Sequence, residues 1–305
     1  GTPLLQFAPW WSYAWKTIAS GHLPLWNPLV GMGAPLLANY QSGLLYPPYW
    51  VHLAMWLIGG NRLMAWGMAL VAAFHLALAG WGMAALTKKL RLNSTSQIVS
   101  SLAFGLSGYL VARLGFLSIN SATAWLPWVL LPLTPDPENG LTFDRKRFGS
   151  LVFSLSMLLL AGHAPSAWYI ILLSFFWFAF WFFQNLPPIS RSPGSDRISL
   201  YLHDWGFWML ALFISQGICA AQLLPTAEYL AQSQRAEVEI PILPSNDEQS
   251  YCNYSQEYPR MQARPTLTGA VTLGFDTMGV VRSDHRFSLL SMLPETNGRN
   301  PLVRP

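Results

Sequence analysis

Between Leu63 and Leu86 the chain runs for about 24 residues in which only His75 and small residues interrupt an apolar character, and at ~1.5 Å rise per residue a helix of that length exceeds the ~30 Å hydrocarbon core of a bilayer. The run ends abruptly at Thr87-Lys88-Lys89-Leu90-Arg91. A stretch of this kind commits the chain to lipid, and the composition agrees: 52% of residues are hydrophobic and only 10% charged, where soluble domains carry roughly a quarter charged. Most of the sequence is therefore excluded from a water-soluble globular domain.

Five further apolar runs follow the first. Residues 98–115 and 116–133, parted by Arg113 and Ser118-Ile119-Asn120, read as a tight membrane hairpin. Residues 148–162, 167–183 and 205–224 complete an expected count of about six spans, an all-α polytopic transmembrane bundle over residues 63–225. Lys and Arg collect in alternate loops, at Lys88, Lys89 and Arg91, at Arg145, Lys146 and Arg147, and at Arg191 and Arg197. Cytoplasmic loops accumulate these residues, so residues 1–62 and the tail 226–305 are expected outside the cytoplasm.

Residues 1–62 cannot form a simple span, because Pro3, Pro9, Pro24, Pro28, Pro35, Pro47 and Pro48, with Gly21, Gly31 and Gly33, cut them into pieces too short to cross. Irregular backbone facing lipid is forbidden at membrane depth, so this helical first loop should lie at the interface or roof a cavity. Trp10, Trp11 and Trp15 on one short amphipathic helix suit an interfacial anchor, and residues 46–58 are expected to dip in as a further helix. The net charge of +4 does not imply nucleic acid, since the basic residues sit between apolar runs rather than in an aromatic-interleaved patch. Cys219 and Cys252 make neither a disulfide framework nor a metal pair.

The most informative stretch is Gly21-His22-Leu23-Pro24-Leu25-Trp26-Asn27-Pro28, followed by Gly31-Met32-Gly33-Ala34-Pro35-Leu36-Leu37-Ala38-Asn39, Gln41-Ser42 and Tyr46-Pro47. It resembles the first large outer loop of the YfhO family of bacterial membrane proteins. Ala161-Gly162-His163 resembles that family's Gly-His turn, and Gln222-Leu223-Leu224-Pro225-Thr226-Ala227-Glu228, then Ser233 and Arg235, resembles its Q-L-L-P-T-x-E segment. The resemblance covers roughly residues 1–236, with the elements in family order. It implies a GT-C-like fold and the transfer of a sugar from a polyprenyl-phosphate donor to an envelope polymer on the outer face of the bacterial cytoplasmic membrane.

Such chemistry needs a carboxylate to orient or deprotonate the acceptor, cationic or divalent-metal help for the phosphate, and amides for sugar hydroxyls. The candidate substrate-binding set is Gln6, His22, Trp26, Asn27, Asn39, Gln41, Gln222 and Arg235, with His163 and Glu228 as the catalytic candidates. These groups converge only if the first loop folds over the outer mouth of the bundle. The chain departs from the family pattern where Thr2 and Pro165 stand, and no Asp or Glu precedes Asp136. Either the carboxylate lies upstream of Gly1 or the site is incomplete, and the chain reads as a piece of a longer protein.

Plainer roles compete for the same residues. His163 at a turn can be a polar cap, His75 a helix-to-helix hydrogen-bond partner, Trp26 and Asn27 the pins of a turn, and Glu228 with Arg235 an exposed ion pair. Metal ligation has little support, since no His/Asp/Glu pair has recognisable spacing. The runner-up function is a non-enzymatic transporter or flippase-like protein. Beyond about Glu237 both hydropathy and resemblance stop, and that tail is expected to be poorly ordered or translated out of frame.

Overall fold

A computed structural model describes residues 3–30, 33–136, 144–184 and 194–232. Arg235, the expected tail beyond residue 232 and the Arg191 loop lie outside them. The described chain is overwhelmingly helical, and its only strands are Trp26–Asn27 and Ala34–Pro35, paired antiparallel.

Helix α1 (Ala8–Ala19) starts with proline in its first turn, where the missing N–H costs nothing, and stops at Ser20 before Gly21, whose φ is +83°. Its tryptophans correct the anchor expectation: Trp10, Trp11 and Trp15 are 5%, 0% and 1% exposed and point into the protein. After the hairpin and two single 3-10 turns, Tyr40–Ser42 and Pro47–Tyr49, the chain enters α2 (Trp50–Lys89).

Helix α2 is two limbs. Gly59 and Gly60 leave helical geometry, with Gly60 at φ +62° and ψ −156°, a region open essentially only to glycine. A Cβ placed on Gly67 would lie 3.5 Å from the Cα of His52, whereas in an unbroken helix those residues would stand roughly 22 Å apart. Residues 50–58 therefore fold back along residues 61–89 as a short limb.

Helix α3 (Ser94–Gly105), capped by the Asn93 side chain accepting from Ser96 N at 2.8 Å, packs on α2 with close backbone approach. A Cβ on Gly105 would meet the Leu76 carbonyl at 3.0 Å and Gly80 Cα at 3.1 Å, the small-residue packing that membrane helices favour. The expected hairpin of 98–115 and 116–133 is instead α3, α4 (Gly108–Ala112), α5 (Leu117–Thr123) and α6 (Leu126–Leu133). Ser107 caps α4 through Leu110 N, and α6 opens with proline in its first turn, so each apolar run is cut by its own start signal.

Helix α7 (Arg145–Leu160) begins on an Asp144 cap and its 16 residues reach only ~24 Å. Helix α8 (Ala164–Gln184) has 21 residues and a crossing length. Helix α9 (Gly194–Ile218) and α10 (Ala220–Ala231) meet at a 78° bend, and α10 continues across residue 225. Among the described residues two helices are long and apolar enough to cross a membrane, or three if the bent pair is one span, against the six expected. Large apolar side chains face outward, among them Trp66 and Trp81 at 67% and Phe213 at 75% exposed, a surface suited to lipid rather than water.

Two of the basic loops meet at one end of the bundle. Lys89 Nζ donates to the Leu131 carbonyl at 3.1 Å, Arg147 pairs with Asp136 at 3.6 Å, and Lys89 lies within electrostatic reach of Arg147, Asp136 and Asp144. A cation on the last carbonyls of α6 also complements the helix dipole.

Candidate functional site

The first loop and the bundle meet around the single turn Tyr40–Ser42. Tyr40 donates its hydroxyl to the Leu159 carbonyl at the end of α7. The turn between α7 and α8 fits beneath it because Gly162 carries no side chain: a Cβ there would stand 2.6 Å from the Tyr40 carbonyl oxygen, and φ is +83°. Gln6 Nε2 donates to Gln41 Oε1 at 3.1 Å, and Gln222 Nε2, fully buried on α10, donates to the Leu37 carbonyl at 2.8 Å. Trp11 Nε1 donates to the Ser42 carbonyl at 2.8 Å. Gln6, Gln41, Gln222 and the residue before His163 are thus drawn to one place, as a loop folded over the bundle requires.

His163 is the N-cap of α8. Its Nδ1 accepts from Ser166 N at 3.2 Å and from the Ser166 hydroxyl at 2.7 Å, which puts the ring proton on Nε2. Burial, with the Arg113 charge nearby, lowers its pKa to about 4, so the ring is neutral at neutral pH. Arg113, exposed and lying 5.6 Å from the Tyr109 ring centroid, brings a cation near this turn. It went unnoticed in the sequence, where it reads only as a polar break.

The other candidates keep to their own segments. His22 is exposed with Nδ1 3.3 Å from Ser20 Oγ. Asn27 is buried, and its Oδ1 accepts from Leu29 N at 2.9 Å, an Asx turn. The Trp26 indole lies across Gly33, where a Cβ would be 2.5 Å from the ring. Asn39 is half-buried and accepts from Ser42 N through its carbonyl at 3.0 Å. Glu228 is exposed: Gln222 and Thr226 mark the buried stripe of α10, and Glu228, two residues past Thr226, falls on the opposite side.

In the deepest part of the site His75, expected as a hydrogen-bond partner between helices, bonds instead to Tyr46 of the first loop, a pairing the sequence did not suggest. Tyr46, fully buried, donates to His75 Nε2 at 2.7 Å while His75 Nδ1–H donates to the Val71 carbonyl at 2.7 Å, and Trp125 Nε1 donates to the Tyr46 oxygen at 2.7 Å. Tyr49 donates to Ser121 Oγ at 3.0 Å. His75 lies midway along residues 61–89, so Tyr46 of the first loop reaches half-way down the long limb of α2. The signal available was the spacing Tyr46, Tyr49, His52, three polar aromatics on one face beside a double proline.

Among the described residues no group of three or more His, Cys, Asp and Glu could hold a metal ion. Comparison with family models, with curated proteins and with solved structures finds no significant match.

Proposed function

We propose that the chain is the membrane-embedded body of a GT-C-type glycosyltransferase that takes a sugar from a polyprenyl-phosphate donor, at the end of the bundle roofed by the first loop, for an envelope polymer on the outer face. One observation carries this reading. The three stretches that resemble the YfhO family are well separated in the sequence, at residues 21–47, 161–163 and 222–228, and they meet around one turn, through Tyr40 to Leu159, Gly162 beneath Tyr40, and Leu37 to Gln222.

Paired amides at Gln6 and Gln41 suit sugar hydroxyls, and the guanidinium of Arg113 suits a phosphate. No carboxylate with a described side chain enters this cluster, so the proton transfer is assigned to none of these residues. With basic loops taken as cytoplasmic, the roof faces outward in the cytoplasmic membrane. The short folded-back limb and the 78° bend between α9 and α10 favour, as a second reading, a transporter or flippase, whose sites are commonly built from broken helices.

The test is the purified protein in proteoliposomes with a radiolabelled polyprenyl-phosphate sugar. Transfer to an added envelope acceptor, reduced roughly tenfold or more by Gln41→Ala, is the expected result. Translocation of the labelled lipid without transfer selects the second reading, and neither activity removes both.

A further inference from the structure

Within the bundle, Ser154, Ser174, Ser215 and Thr134 bond to their own helix backbone, while Ser156 Oγ stays unpaired among the described residues. Beside residues 44–58 two whole side-chain polar groups are left without partners. His52 is fully buried, with its ring centroid 4.2 Å from that of Trp11 and 5.3 Å from that of Tyr49, yet neither ring nitrogen has a hydrogen-bond partner among the described residues. Asn120 is 1% exposed, next to the Ser121 that receives the Tyr49 hydroxyl, and neither of its amide atoms is paired. Buried groups without partners are expensive when closed in and recover water when opened.

The same stretch is bounded by backbone built to turn. Gly43 has φ +55° on one side, and Gly59 and Gly60 break the helix on the other. The chain before Gly43 is pinned by Tyr40 to Leu159, Trp11 to Ser42 and Gln222 to Leu37, and the chain after Gly60 is the long limb of α2. Between the two, Trp50 Nε1 donates to the Leu44 carbonyl at 3.1 Å and holds the piece together. Its side-chain bonds to the rest of the chain are Tyr46 with His75 and Trp125, Tyr49 with Ser121, and, beside the Gly59–Gly60 break, Trp56 Nε1 donating to Asn61 Oδ1 at 3.0 Å.

We propose that residues 44–58 are a hinged plug, swinging at Gly43 and at Gly59–Gly60, and that its displacement admits water to a well floored by His75, Ser121 and Trp125 half-way along α2. The inference rests on this geometry and not on the sugar-transfer reading. The closed state is held by the tyrosine hydroxyls and opposed by the unpaired nitrogens of His52 and the unpaired amide of Asn120.

The test is labelling of Ser121→Cys by a charged, water-borne maleimide, using the full chain in nanodiscs and a Cys219→Ser, Cys252→Ser background. Ser154→Cys, equally buried but on α7, is the control. Labelling at residue 121 is expected to exceed the control, to rise roughly tenfold with Tyr46→Phe, and to fall with His52→Phe, which fills the same space without nitrogens. If Ser121→Cys labels no faster than Ser154→Cys in any background, the plug does not open. If Tyr46→Phe accelerates both sites equally, the bundle merely loosens and the proposal also fails.

Discussion

Gly162→Ala probes the contact on which the roofed end depends. At φ +83° a residue with a Cβ pays about 1–2 kcal/mol for the left-handed conformation. The new methyl would also stand 2.6 Å from the Tyr40 carbonyl and 3.4 Å from both the Gln41 carbonyl and Gly43 Cα. Those neighbours are backbone rather than flexible side-chain ends, so relief requires shifting the whole Tyr40–Ser42 turn, and overpacking of that kind costs about 1–3 kcal/mol. The expected destabilisation is about 2–5 kcal/mol in total, read as a shift in the denaturant midpoint in mixed micelles. Gly149→Ala is the internal comparison: Gly149 is exposed in α7 with nothing within 4 Å of an added Cβ, and it should gain about 0.5–1 kcal/mol from helix propensity. Coincident midpoints for Gly162→Ala and wild type would refute the claim that the α7–α8 turn is seated against the first loop.

His163→Ala should cost about 0.5–2 kcal/mol as a lost helix cap, while His163→Asn should keep most of it, measured in the same titration. Because the folded pKa of His163 is depressed to about 4 by burial and then by Arg113, the unfolded chain binds the extra proton between about pH 6.5 and 4. The stability this residue contributes is therefore present above about pH 6.5 and lost as pH falls towards 4, and the difference curve between wild type and His163→Asn should show that slope. Trp11→Phe leaves the buried Ser42 carbonyl without its donor and should cost about 1–3 kcal/mol, whereas Trp26→Phe, at a half-exposed indole with no such bond, should cost less; equal losses would count against an inward role for α1. An impermeant maleimide on sealed vesicles should reach Ser20→Cys and Arg91→Cys from opposite sides, and labelling of both from one side would overturn the proposed topology.

Hydropathy located the apolar segments well and their depth poorly. The long limb of α2 and helix α8 were legible as runs of crossing length, because uninterrupted apolar residues have few alternatives to a helix in lipid. The run 98–133 was misjudged because its breaks are made by small local signals, the Ser107 cap and the proline in the first turn of α6, which a window average erases. In the candidate site, Gln6, Gln41 and Gln222 were identifiable from motif resemblance. Tyr46 stood in the same motif without a role, and Tyr40, His52 and Arg113 were not singled out as site residues, since their importance comes from distant partners or from partners that are missing.

The tryptophans show how an irregular segment can sit that deep. The chain has 15 of them, and a membrane protein invites the reading that they form interfacial belts. Several instead serve as inward donors. Trp11 and Trp50 cap the carbonyls of Ser42 and Leu44 in the non-helical loop, Trp125 caps the Tyr46 oxygen, and Trp128 donates to the Leu78 carbonyl. A proline-broken stretch at that depth leaves carbonyls that neither helix nor water can satisfy, and such backbone is tolerated only where protein supplies the partners. An indole provides one donor and no acceptor on a large apolar body, so it satisfies a lone carbonyl without burying a new polar demand. At Ser42 and Leu44 the indoles thus take the place of helix or water as partners for carbonyls of the proline-broken loop.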